Sequence, residues 1–140
     1  MKASCLCGGV RFSLAALPKK YYQCHCSLCR KQGGGASNVA TIVKTESIAW
    51  ERGQELIGHY QRPTGFRSHF CTVCGSPVPN PIGDGSLSWL PLGLLDDPAA
   101  IELLAHLHVG SKANWEPVPT TGAVHDDMPS IKEFLESLNG

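Results

Sequence analysis

Seven cysteines are the residues with the most chemistry to offer, and they stand in three groups rather than singly. The groups are Cys5-x-Cys7, Cys24-x-Cys26-x-x-Cys29 and Cys71-x-x-Cys74. Thiols at these spacings curl into knuckles that present sulfur to a borderline-soft metal ion such as zinc. A disulfide framework fits poorly, because the count is odd and the N-terminal "MKASCLCGG" has no apolar run of the kind that directs export. Buried cysteines used only for packing have no reason to cluster.

The two pairs together supply four sulfurs, enough to close a tetrahedral site. Such a site joins the start of the chain to a turn far downstream, a strong constraint on the unfolded state. Gly8 and Gly75 each follow the last cysteine of their knuckle, where a positive φ or a close backbone approach is often needed. With four thiolates on zinc the formal charge is about −2 and no position stays open, so Cys5, Cys7, Cys71 and Cys74 read as a structural zinc site. Cys24, Cys26 and Cys29 remain, and three thiolates leave a fourth position for water or a substrate atom. Two zinc ions per chain are therefore expected.

Other partitions stay open at this level. A histidine can close the trio: His25 lies inside the motif, and His59, His69, His106, His108 and His125 can reach it only by folding back. Alternatively Cys26 and Cys29 combine with Cys71 and Cys74 as a zinc ribbon, which strands Cys5, Cys7 and Cys24.

An open three-thiolate zinc suits thiol chemistry. It can hold a small thiol as its thiolate, the nucleophilic form, or polarise a carbonyl. A thiolate that adds to an aldehyde gives a thiohemiacetal, whose new oxyanion needs a proton. The site's formal charge of about −1 favours exchange of the fourth ligand. Arg30 and Lys31 follow the last cysteine, and either can offset that charge or meet a substrate carboxylate. Gly33, Gly34 and Gly35 either let a backbone loop approach the ligand closely or, the favoured reading, form a turn that ends a short helix over "SLCRKQ".

The elements that must position these groups are mostly strands. The chain has 140 residues, the size of one domain, so residues 1–140 are expected to form a single zinc-binding domain. Short alternating or apolar runs at 9–14, 38–43, 47–51, 55–61, 65–70, 86–95 and 101–109 predict strands. "RPTG", "VPNPIGDG" and "DDPAA" punctuate them, and the pattern predicts a mainly β protein of short antiparallel sheets. A C-terminal helix is expected over about 130–138. Ser130 and Glu133 form a capping-box pattern, and Ile131, Phe134, Leu135 and Leu138 share one face that packs on the sheets.

Twelve basic residues balance twelve acidic ones, which disfavours binding to nucleic acid by phosphate neutralisation. No apolar stretch is long enough to span a bilayer, so the expectation is a cytoplasmic protein without a membrane partner. The composition gives no oligomeric state.

Three blocks, "CLCGGVRF" (5–12), "CHCSLCRKQGG" (24–34) and "HFCTVCGSP" (69–77), resemble the signature blocks of the glutathione-dependent formaldehyde-activating (GFA) family. "GLLDDP" (93–98) and "HLHVGSKANW" (106–115) extend the resemblance, which covers about residues 3–115 and departs from the family pattern at His108 and Asn114. The resemblance implies a β-tent fold, a structural zinc on Cys5, Cys7, Cys71 and Cys74, and a second zinc on Cys24, Cys26 and Cys29. It implies a carbon–sulfur lyase acting on adducts of a glutathione-like thiol with an aldehyde such as formaldehyde. By the same resemblance Lys112 and Trp115 join Arg30 as candidate substrate-binding residues. On other readings Trp115 is a half-buried core aromatic and Lys112 a surface lysine. A non-enzymatic zinc module that binds a partner through a sheet face is the alternative function, and redox or metal sensing a third.

Overall fold

Val10, Phe12 and Leu14 alternate with polar neighbours, and in the computed structural model all three are buried. The structure describes residues 1–97 and 100–140. Pro98 of the "GLLDDP" turn, and with it part of "DDPAA", lies outside the described residues. The described chain forms two compact units, Met1–Leu17 with Ile42–Ala99, and Pro18–Thr41 with Ala100–Gly140.

In the first unit, β1 (Lys2–Ser4) and β2 (Arg11–Leu14) pair antiparallel, and β2 continues to β5 (Ile48–Arg52). Their inward faces bury Ala3, Phe12 and Leu14 with Leu90, and Trp50 tilts against Phe12 with ring centroids 5.3 Å apart. Two hairpins complete the unit. β6 (Ile57–Gln61) pairs with β7 (Arg67–Cys71), and β8 (Asn80–Ile82) with β9 (Leu87–Pro91). A second cluster joins Cys5 and Cys71 with Val10 and Val78, so two of the sulfurs are themselves part of a core.

The second unit is built on β3 (Lys20–Cys24), which lies between β4 (Asn38–Lys44) and β10 (Glu102–Leu107). β4 is the strand through which the chain passes from one unit to the other. β10 runs parallel to β3 and to the two-residue β11 (Ala123–Val124). The sheets are short, as expected, but these two pairs are not antiparallel. The reason is connectivity: β3 and β10 are separated by the whole excursion through the first unit, so no hairpin dictates their direction.

Two α-helices occur among the described residues. α1 (Ser27–Gly33) follows Cys26 directly and ends at Gly34, whose N–H reaches the Arg30 carbonyl. α2 (Ile131–Asn139) starts at Ser130, whose hydroxyl accepts from the Glu133 N–H. Its Phe134 and Leu138 are buried, and the Phe134 ring meets Tyr22 of β3 edge-on, 5.3 Å away. Ile131, expected on the packed face, is 58% exposed because it occupies the first, solvent-facing turn.

Candidate metal centres

The seven cysteines fall into two groups, each inside one unit. Cys5, Cys7, Cys71 and Cys74 bring their sulfurs within 4.8 Å of one another, and Cys24, Cys26 and Cys29 do the same. The ribbon partition, with Cys26 and Cys29 joined to Cys71 and Cys74, is not what the chain builds.

The four-sulfur group rests on two knuckles of like design. In each, the glycine after the second cysteine turns its N–H back to the first cysteine's carbonyl: Gly8 to Cys5 at 3.0 Å, and Gly75 to Cys71 at 2.7 Å. That closure needs the left-handed region, with φ of 75° at Gly8 and 80° at Gly75, where a side chain is disfavoured. The Cys5 and Cys7 sulfurs lie 3.6 Å apart, and Cys7 and Cys71 3.8 Å. A zinc–sulfur bond of about 2.3 Å in a tetrahedron sets sulfurs about 3.8 Å apart, so this donor set fits zinc. The amides of Gly9 and Val10 donate to the sulfurs of Cys7 and Cys5, as suits thiolates.

The three-sulfur group joins a strand to a helix. Cys24 ends β3, Cys26 is the N-cap of α1, and Cys29 lies in the helix's first turn. Cys26 accepts from the Cys29 N–H at 3.4 Å. Hydrogen bonds from the Cys24 thiol, then the Cys29 thiol, then the amides of Cys29 and Leu28 hold the Cys26 thiol down at about 2. The converse falls on its neighbours: hydrogen bonding to Cys26 leads in pushing Cys24 up to about 11, and hydrogen bonding to Cys24 and then Cys26 pushes Cys29 up. Among the described residues no histidine nitrogen or carboxylate oxygen joins this trio within the same distance.

His25, the first candidate for a closing ligand, is fully buried and engaged elsewhere. Its Nδ1–H donates to Glu116 Oε2 at 3.0 Å, and its Nε2 lies 2.8 Å from His106 Nδ1. Burial, with His25 close by, lowers the pKa of His106. His59 and His69 face each other across β6 and β7 in the first unit, stacked at 4.1 Å. Sequence reading passed over Glu116 entirely. It lies 91 residues from His25, with no local pattern to single it out.

The remaining candidates are placed as follows. Arg30 sits on α1 one residue past Cys29, and its Nε is buried without a hydrogen-bond partner. Lys112 is half-buried and donates to the carbonyls of Ala113 and Glu116, at 3.4 and 3.0 Å, so it braces a turn and is not a free surface lysine. Trp115 is 72% exposed, which overturns the half-buried core reading. Asn38, which the sequence did not single out, lies directly across from Cys24 in the β3–β4 register, and its Oδ1 is buried and unpartnered.

The model of the family described as glutathione-dependent formaldehyde-activating enzyme matches residues 1–111. The chain belongs to the GFA family. It is 33% identical over 84 residues to a Halomonas elongata protein named for glutathione-dependent formaldehyde activation. That match takes in 56% of this chain and 54% of the relative, so the chain spans about half the relative's length. A crystal structure of a Rhodobacter sphaeroides protein shares the fold, with a TM-score of 0.59 at 22% identity over 74% of this chain and 99% of that one. No helix among the described residues is long and apolar enough to cross a membrane.

Proposed function

We propose that this GFA-family chain is a zinc-dependent carbon–sulfur lyase-type enzyme that interconverts a glutathione-like thiol plus an aldehyde such as formaldehyde with their S-hydroxymethyl adduct. The observation that carries the reading is the unequal division of sulfurs, four in one group and three in the other. Cys5, Cys7, Cys71 and Cys74 take the role of the structural zinc site. Cys24, Cys26 and Cys29 take that of the site with an exchangeable position. Residues 1–140 serve as one functional domain, a reading supported by a family match that runs through both compact units.

Zinc bound to the trio supplies a Lewis acid that keeps a visiting thiol deprotonated at neutral pH. In the adduct-forming direction the thiol gives up its proton and a sulfur–carbon bond forms at the carbonyl carbon. The carbonyl π pair moves to oxygen, which takes up one proton, so protons balance. Arg30 lies next to Cys29 with an unpartnered buried Nε, a donor suited to a substrate carboxylate. Trp115 offers an exposed aromatic face to the body of the thiol. Lys112 takes the supporting role, holding the turn that presents Trp115.

The test is the rate of adduct formation from formaldehyde and glutathione, followed by exchange NMR against the uncatalysed reaction. The wild-type protein loaded with two zinc ions should accelerate it, and Cys26→Ala should not. A fully loaded protein with no acceleration for any small thiol would sink the enzyme reading. The alternative is a non-enzymatic interaction module. Its one favouring observation is that Leu6 and Val73, within the two knuckles, are 85% and 66% exposed. It has no use for a three-sulfur site.

A further inference from the structure

The middle residue of the Cys24-His25-Cys26 triplet is tied into a chain of buried and half-buried polar groups that thiol chemistry alone does not require. β3 ends at Cys24, and Cys26 is still extended, with φ −67° and ψ 157°. Alternation along extended backbone sends the Cys24 and Cys26 side chains to one side and His25 to the other. On that far side the His25 ring is clamped at both nitrogens, by Glu116 at 3.0 Å and His106 at 2.8 Å. Its own backbone N–H is held by the Leu107 carbonyl at 2.9 Å. His25 is 0% exposed and His106 6% exposed. Glu116 is fixed in turn, since its N–H bonds Ala113 O and its carbonyl accepts from Lys112 Nζ.

Filling space behind a loop is done as well by apolar side chains, and burying polar groups costs free energy unless every one is partnered. What hydrogen bonds add is direction: they fix the ring's rotamer and, through it, the backbone between two ligand sulfurs. We propose that Glu116 and His106 are positioning residues of the Cys24/Cys26/Cys29 metal site, acting through His25 as a brace that sets the ligand loop from behind. The inference rests on reading that trio as a metal site. Because Trp115 directly precedes Glu116, the same brace sets where the exposed indole stands relative to the loop.

The experiment is cobalt(II) loading of the full-length chain in competition with a chelator, read at the thiolate-to-cobalt charge-transfer bands. The four-thiolate site serves as internal reference for folding. Glu116→Ala and His106→Ala should weaken binding at the three-thiolate site by about 10–100-fold and alter its bands, leaving the four-thiolate site unchanged. Glu116→Gln, which keeps an oxygen to accept the His25 N–H, should restore affinity to within a few-fold of wild type. Wild-type affinity in the alanine variants, parallel loss at both sites, or no rescue by glutamine would overturn the brace. A wild-type chain that takes up a single metal ion would overturn the metal-site reading together with it, so the two failures are told apart.

Discussion

Cys26 stands where three influences meet: two neighbouring thiols and the first amides of α1 all donate to its sulfur. It is only partly buried and lies in the second unit, apart from the apolar cluster that holds Cys5 and Cys71. Cys71, by contrast, is fully buried among Cys5, Val10 and Val78. Cys26→Ala is therefore expected to cost one zinc per chain with the fold retained, and Cys71→Ala to unfold the first unit. Metal analysis paired with circular dichroism checks both, and equal destabilisation would contradict the division of labour. Trp115 permits a cleaner separation of stability from function. At 72% exposure its replacement by alanine should leave unfolding free energy within about 0.5 kcal/mol of wild type. In the adduct-forming assay the same variant should raise KM for glutathione; an unchanged KM would remove Trp115 from the site.

At the scale of elements, α2 is a local object whose stabilisation can be divided. The Ser130 hydroxyl satisfies one free amide at the helix start, and Ser130→Ala should cost about 1 kcal/mol in urea unfolding. Phe134→Ala removes the ring that meets Tyr22 and should cost about 3–5 kcal/mol. Because Tyr22 belongs to the strand that ends in Cys24, the larger loss should also loosen zinc at the trio; the smaller one should not. This helix was legible in the sequence, since both its cap and its stripe are written within ten residues. The strands at 38–44, 48–52 and 102–107 were legible for the same reason. β3 was not: "KYYQC" has no clean alternation, and it is a strand because β4 and β10, far away in sequence, pair with it on either side. β8 was hidden by Pro81, read as part of a turn, although an outer strand tolerates a proline.

For the molecule as a whole, the site could be read further than the fold. The division of sulfurs into four and three was one of the partitions the spacing allowed, and the structure groups them that way, with the glycines that close both knuckles where the sequence put them. Arg30, Lys112 and Trp115 could be named from sequence but not placed. The Glu116–His25–His106 chain was out of reach because its members are brought together only by the parallel pairing of β3 and β10 and the turn that follows. If both sulfur groups hold metal, chelation at neutral pH is expected to strip the three-sulfur site first with little change in far-UV signal. Removal of the second equivalent should then unfold the first unit, a sequence that stepwise chelator titration resolves. Acidification should weaken both sites, since bound ligands must be thiolates and protons compete for them.

The proposed chemistry requires that Cys24, Cys26 and Cys29 hold a metal ion with one place left for a visitor. Diffraction at the zinc absorption edge, from crystals with and without glutathione, answers that directly. The expected result is two zinc ions per chain, one of them bound by these three sulfurs and a fourth ligand from outside the chain that glutathione sulfur replaces. A second zinc enclosed by four side chains, or none at the trio despite ample zinc, would contradict it.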